Sequence, residues 1–252
     1  MTRGLAGLAL IALIAGCGSA TATTSTTSTA TPSSPSSPSS PARSPSVPAS
    51  STPVPSAGTE EVEVITTGVG AYDLQVVPVA LLRNRAARHD ATAVVVTFTV
   101  RWPGGAHLLA VSPVSLGPGE TLAVAALCTD ACQGATTASA SVQVGGWSSA
   151  PLTQLPPAPA TFVCGSPCAG RGGFEGAATA SLRGSLAPGT VVNLFASCTS
   201  AGGRIVGGGV TTVVWGSGAS PANAPATSRS ASVPVLTAAR PSACQVDGSP
   251  AG

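Results

Sequence analysis

The chain has 252 residues, of which 8% are charged, and its formal net charge at pH 7 is +2. Beyond residue 58, nine arginines stand against nine acidic residues and lysine is absent, so this part of the chain has no strong field that would attract nucleic acid or anionic lipid. The composition therefore argues against a nucleic-acid partner, and the roughly 190 residues concerned leave room for one large or two small domains.

The N-terminal segment, residues 1–16, has the pattern of an export signal. Arg3 precedes an apolar run over residues 5–15, which is too short for a permanent bilayer-spanning helix but suits the core of a secretory leader. The run ends in Ile-Ala-Gly-Cys at 14–17, which resembles the lipobox of bacterial lipoproteins. The resemblance implies cleavage before Cys17 and acylation of its sulfur, and two or more acyl chains would give stable membrane anchoring. Ordinary secretion and an uncleaved anchor are the alternatives.

Residues 17–58 are predicted to form a disordered linker behind the lipidated cysteine. From residue 20 to residue 56 the chain is almost entirely Ser, Thr, Pro and Ala, with Arg43 as its one charge. Such a segment cannot bury enough apolar surface to offset the entropy lost on ordering, so we expect a partly polyproline-like stalk. As a flexible coil it would reach about 35 Å from the membrane. Whether the tract is O-glycosylated, as in some exported proteins, stays open.

An alternation of period two dominates residues 59–150. Residues 91–101 place Val94, Val96, Phe98 and Val100 on one face, and residues 137–144 alternate alanine and valine with polar side chains. Both patterns predict strands with one buried face. Further strands are predicted at 61–66, 74–82, 108–111 and 121–127, separated by turn signals of glycine and proline. Because no segment has a helical stripe with caps, we expect an antiparallel β-sandwich over residues 59–150.

A second set of strands is predicted after a proline-rich joint at residues 151–159. Its members are 161–164, 177–183, 191–198, 210–215 and 231–236. Six residues of the first module, Leu116, Pro118, Gly119, Ala126, Cys128 and Thr129, recur at the same offsets as Leu186, Pro188, Gly189, Ala196, Cys198 and Thr199. We therefore predict an all-β protein with two related sandwiches, the second over residues 151–252.

Three features of residues 62–144 resemble a known class of module. Asn84 follows a strand, residues 94–100 form a long Val/Thr-rich strand, and Leu-Gly-Pro-Gly-Glu-Thr at 116–121 leads into a further strand. Together they resemble the immunoglobulin-like modules of bacterial exported proteins, in particular the FxLYD type. The resemblance implies an immunoglobulin-like fold and a role as an extracellular binding or spacer unit.

The cysteines indicate disulfides. With Cys17 assigned to lipid, six remain, an even number in a chain that the leader directs to an oxidising compartment. Two pairs enclose three residues each, and turns at Asp130 and at residues 165–167 would let their sulfurs meet. Among the fifteen pairings that six cysteines allow, we predict Cys128–Cys132, Cys164–Cys168 and, as the remaining pair, Cys198–Cys244. Zinc is the alternative, but this spacing is unusual for zinc and both histidines are distant in sequence, so we expect no metal.

Candidates for chemistry are few. His89 and His107 are the two histidines, both in predicted loops, and His89-Asp90 fits a solvated turn better than a catalytic dyad. There is no Gly-x-Ser-x-Gly turn, and residues 170–173 lack the spacing and the following helix of a nucleotide-binding loop, so we interpret them as a flexible loop. We expect no enzymatic activity and no cofactor.

Recognition residues are easier to nominate. Trp102, Trp147 and Trp215 lie at predicted strand ends, where an indole ring can either cover the rim of the core or contact a partner.

The leading hypothesis is a lipoprotein held at the extracytoplasmic side of the cell membrane, without enzymatic activity, that binds a protein or glycan of the envelope or supports another component. The alternative is an accessory cell-wall enzyme or solute-binding subunit with a site near Arg171, Glu175 and Arg204 of the second module. A pure spacer role is a third possibility.

Overall fold

The computed structural model describes residues 61–153, 155–216 and 228–251. The predicted leader, Cys17 and the predicted linker up to residue 58 lie outside these residues. Apart from one 3₁₀ turn at Asp130–Cys132, the described residues form no helix, and all strand pairs are antiparallel. The prediction of an all-β protein with antiparallel sheets is confirmed.

The first half of the described region contains eight strands in two sheets. They are β1 Val62–Tyr72, β2 Gln75–Asn84, β3 Asp90–Trp102, β4 Gly105–Ala110, β5 Val114–Leu116, β6 Thr121–Ala125, β7 Thr137–Gln143 and β8 Gly146–Ser148. Strands β1, β2 and β6 form a three-stranded sheet in that order. Strand β3 is the centre of the other sheet. Strands β4 and β7 pair with its C-terminal half, one on each edge. Strands β5 and β8 pair with its N-terminal part in the same way. The sequence did not predict β5 and β8, which have three residues each.

The core of this half lies between the two sheets. Val94, Val96, Phe98 and Val100 of β3 are all fully buried, as their alternation predicts. They belong to one cluster with the apolar side chains of β2, β5 and β6. The same cluster contains Phe195 and Leu236 from the second half of the chain, so the core does not stop at the first pair of sheets.

The second half closes into a barrel. Its strands are β9 Leu155–Gly170, β10 Gly173–Arg183, β11 Val191–Thr199, β12 Ile205–Val214, β13 Ser228–Thr237 and β14 Ala243–Pro250. They pair in the closed order β10-β13-β12-β11-β14-β9. The prediction of a second β-sandwich over residues 151–252 is therefore wrong. The barrel arises instead because β14, which the sequence did not predict, pairs with β11 on one side and with β9 on the other.

The proline-rich segment is part of a strand, so its interpretation as a joint over residues 151–159 is wrong from Leu155 onward. In the β9–β14 register, Ala158 pairs with Val246 and Leu155 with Gly248, which leaves two prolines, Pro156 and Pro157, opposite Asp247. A bulge of two residues against one does not need the backbone N–H groups that proline lacks. The bulge therefore accommodates a sequence that normally indicates a linker.

The repeated Leu-x-Pro-Gly motif has one local conformation in both halves. In each copy the leucine is buried, the glycine has a positive φ (+68° at Gly119 and +89° at Gly189), and a strand follows, β6 or β11. The cysteines of the two copies then differ. Cys128 lies just after β6, whereas Cys198 lies within β11 and pairs with a cysteine in β14. The repeat thus predicts a turn, not a second copy of the fold.

The two halves belong to one compact unit and share an extensive contact. In β6 the residues from Leu122 to Ala125 are all buried, so this strand is covered on both faces. At the contact the backbones of β1 and β13 approach so closely that a Cβ at Gly70 would lie 1.9 Å from the carbonyl oxygen of Leu236. Glycine is needed at Gly70 because any side chain would force these strands apart.

The last strand adds polar links between the halves. Asp247 of β14 accepts a hydrogen bond from the backbone N–H of Ala123 in β6 (3.0 Å), and the hydroxyl oxygen of Ser249 accepts one from the N–H of Ser115 in β5 (3.2 Å). Both side chains are buried. Strand β14 therefore closes the barrel and also satisfies donors at the edges of both sheets of the first half.

Candidate functional site

A polar cleft with a volume of about 540 Å³ lies where β1, β7 and the start of β12 meet. Its polar side chains come from three parts of the chain: Thr66 and Thr67, Thr136 and Thr137, and Ser200 and Arg204. The hydroxyl of Thr67 donates to the carbonyl oxygen of Ala138 at 2.8 Å, which joins β1 to β7 along the cleft. The cleft is thus built by strands that are distant in sequence.

A short turn between β11 and β12 presents Arg204. The N–H of Ser200 donates to the carbonyl of Arg204 and the N–H of Gly203 donates to the carbonyl of Ser200, both at 2.9 Å. Gly203 has φ +76°, a conformation that suits glycine. The guanidinium belongs to an exposed residue, and no carboxylate is among the described residues that line the cleft. The lining therefore combines one cation with several hydroxyl groups, which suits an anionic ligand rich in hydroxyls.

The alternative site of Arg171, Glu175 and Arg204 is not assembled. Arg171 lies in the turn between β9 and β10, where its carbonyl accepts a hydrogen bond from the N–H of Asp73 at 2.8 Å. Glu175 lines a different cleft of about 440 Å³, together with Asp73 and Asp130. Because Arg204 lines the first cleft and Glu175 the second, the structure does not bring this set into one site.

The three tryptophans occupy different environments. Trp102 is half-buried at the β3–β4 turn with its ring against Gly104 and Gly105, and Trp147 is half-buried on β8 against the first core. For these two a partner contact stays a prediction. Trp215 is 0% exposed and belongs to the second core, so its nomination as a contact residue is wrong: a side chain that fills the core cannot reach a partner.

The six cysteines form the three predicted disulfides. Cys128–Cys132 spans the 3₁₀ turn after β6. Cys164–Cys168 closes a bulge in β9, where residues 165–168 stand opposite Glu175 of β10. Cys198–Cys244 joins directly opposite residues of β11 and β14. The turn residues in the two short loops were therefore sufficient signals for local pairing.

The histidines are not at the cleft. His107 lies in β4, and His89 lies just before β3. The interpretation of His89-Asp90 as a solvated turn is wrong for Asp90, which is buried and accepts a hydrogen bond from the N–H of Leu152 at 3.0 Å. Over the described ranges no group of three His, Cys, Asp or Glu side chains could hold a metal ion. Nor does any helix of these ranges have the length and apolar character to cross a membrane.

Two sets of residues escaped sequence reasoning. The cleft threonines gave no signal, because threonine and serine occur throughout the chain and only the fold brings these four together. Asp247 gave no signal either, because its partner is the backbone N–H of Ala123 in β6, which is distant in sequence. Burial raises the pKa of the Asp247 carboxyl to about 6, although hydrogen bonds from Gln245 and from the N–H of Ala123 lower it.

Comparison of the chain with family models, with curated proteins and with solved structures finds no match. The resemblances to lipoproteins and to immunoglobulin-like modules therefore stay predictions.

Proposed function

We propose that this chain is a lipid-anchored, extracytoplasmic binding protein without enzymatic activity, in which an immunoglobulin-like module and a six-stranded β-barrel stand on a Ser/Thr/Pro stalk. The leader pattern, the lipobox-like sequence ending at Cys17 and the three disulfides support the location. The two antiparallel sheets that enclose one core in the first half support the immunoglobulin-like character of that module.

The cleft between β1, β7 and β12 carries the proposal of binding. Its hydroxyl groups can exchange hydrogen bonds with a polyhydroxylated ligand, and Arg204 can pair with a carboxylate or phosphate. The ligand class that suits this lining is a negatively charged glycan of the cell envelope. A neutral glycan would satisfy the hydroxyls and leave the guanidinium in water.

Replacement of Arg204 by alanine should weaken the binding of an anionic glycan fragment about tenfold, because one charge-assisted hydrogen bond is lost. Binding is measured by thermophoresis with carboxylated, phosphorylated and neutral fragments, at low and at physiological salt. Arg88→Ala is the matched control, since Arg88 is exposed in the turn between β2 and β3, and Thr136 and Thr137 of the cleft lie at the other end of β3. Equal weakening by both variants, absence of binding to every fragment, or a hydrolase or transferase activity of the purified protein would contradict the proposal.

The anchor is tested separately. Mass spectrometry of the mature N-terminal peptide should show Cys17 as the first residue, with two or three acyl chains attached. Cys17→Ser should move the protein from the membrane fraction to the soluble fraction, because the acyl chains supply the membrane affinity. An unmodified sulfur or an uncut leader in the wild-type protein would refute the anchoring.

A further inference from the structure

The outer edge of β4 differs from the edges of β1, β5, β6 and β7. The edge of β7 accepts a hydrogen bond at the carbonyl of Ala138, and the edges of β5 and β6 donate from the N–H groups of Ser115 and Ala123, in each case with a side chain of another strand. Strand β1 packs against β12 and β13. Among the described strands, β4 pairs with β3 alone, as β5, β7 and β8 do, and no hydrogen bond from another strand reaches its outer edge.

The sequence of β4 lacks two common protections of an exposed edge. Gly105–Ala110 contains neither a charged residue nor a proline, two of the devices by which edge strands avoid pairing with another chain. Leu108 is 65% exposed, the largest exposed fraction among the large apolar side chains of the described residues. An uncharged edge with an exposed leucine at its middle favours pairing.

The register of β4 on β3 shows which backbone groups face outward. Val111 N–H donates to the carbonyl of Val96 at 2.9 Å, and the register continues through Leu109 and Phe98. Hydrogen-bonded pairs alternate along an antiparallel ladder, so residues 105, 107 and 109 of β4 bond to β3. The N–H and C=O groups of Ala106, Leu108 and Ala110 therefore point away from the sheet.

We propose that this edge pairs with the same edge of a second copy of the chain, in antiparallel register about a two-fold axis at Leu108. This register places Leu108 opposite Leu108 of the second copy and Ala106 opposite Ala110, so that every outward backbone group finds a partner in about six hydrogen bonds. The side chains are self-complementary as well. On the outer face each copy presents alanine, leucine, alanine, and the small residues leave room for the two leucines to touch.

The pairing is weak by itself, because one pair of six-residue strands buries less surface than a standard stable interface. Tethering on one membrane raises the local concentration of the copies and favours their association. That step rests on the proposed anchor. The register does not depend on the anchor or on the cleft.

Cross-linking of the full chain in the producing cells tests the register. In Leu108→Cys the two new cysteines would have Cα atoms about 5.5 Å apart, within the range of a disulfide. We expect a covalent dimer on non-reducing gels, and addition of a reductant should convert it to monomer. Ser139→Cys, exposed on β7 of the same sheet, is the control and should stay monomeric. Equal amounts of covalent dimer from both variants would mean that the copies cross-link by random collision, and this would overturn the proposal. A mixed disulfide between Leu108→Cys and a different protein would overturn it as well.

A second measurement does not depend on an added cysteine. Two differently tagged wild-type copies, produced in the same cells, should be captured together. Ala110→Pro in both copies should lower the co-capture about fivefold, because it removes one outward N–H and, by symmetry, its equivalent. The substitution leaves the bonds to β3 intact, since the N–H of Ala110 does not face β3. Unchanged co-capture, or none with the wild-type chain, overturns the pairing whether or not the cleft binds a glycan.

Discussion

A variant in which Cys198 and Cys244 are both replaced by alanine should lose about 4 kcal/mol of its free energy of unfolding. The bond joins residues 46 positions apart, so it restricts the unfolded chain far more than a local loop does. It also fixes β14 to β11, and β14 is the strand that closes the barrel. Denaturant unfolding of the purified protein, followed by tryptophan fluorescence and by circular dichroism, measures the loss.

The control is removal of Cys164–Cys168 by serine substitution at both positions. This pair is only four positions apart and closes an exposed bulge, so the expected loss is about 2 kcal/mol. Equal losses in the two double variants would mean that the long loop adds no constraint. A larger loss from the short bridge would contradict the assignment of Cys198–Cys244 as the main covalent support of the barrel.

The elements that the sequence predicts are those whose signal is local. Residues 91–101 alternate between a core and an exposed face, and β3 occupies Asp90–Trp102 with its apolar side chains buried. The short disulfides are local too, because a turn of three residues is enough to bring the sulfurs together. Asn84, one of the residues that suggested an immunoglobulin-like module, is fully buried and donates to the carbonyls of His89 and Leu116.

The elements that it does not predict depend on distant partners. The sequence Thr-Leu-Ala-Val-Ala of β6 has a continuous apolar run instead of an alternation, a sign of burial on both faces. The apolar run predicts that both faces of β6 are buried, but it does not identify the element that covers the second face. The structure shows that this element is the barrel. Strand β14 has polar side chains at Gln245, Asp247 and Ser249 and ends in Gly-Ser-Pro, and the sequence analysis predicts no strand there. These side chains are polar because two of them meet backbone donors of the first half.

The same contact makes the stability of the fold sensitive to pH. Asp247 is 1% exposed, and burial raises the pKa of its carboxyl from 3.8 to about 6. The folded protein therefore holds this proton more tightly than the unfolded chain does. The resulting stabilisation is fully present below about pH 4 and is lost as the pH rises through about 6. At about 1.4 kcal/mol per unit of pKa, the total loss is about 3 kcal/mol.

Asp247→Asn should remove this dependence, because the amide cannot ionise while its oxygen can still accept from the N–H of Ala123. The free energy of unfolding of the variant, relative to that of the wild-type protein, should rise by about 2.5 kcal/mol between pH 4 and pH 8. Ser249→Ala is the matched control: it removes the neighbouring acceptor for Ser115 N–H and no ionisable group, so its difference from wild type should be constant with pH. If Asp247→Asn also gives a constant difference, the carboxyl is not held in its neutral form by the contact between the two halves. A rise confined to Asp247→Asn would mean that one buried acid couples the packing of β14 on β6 to the pH of the surroundings.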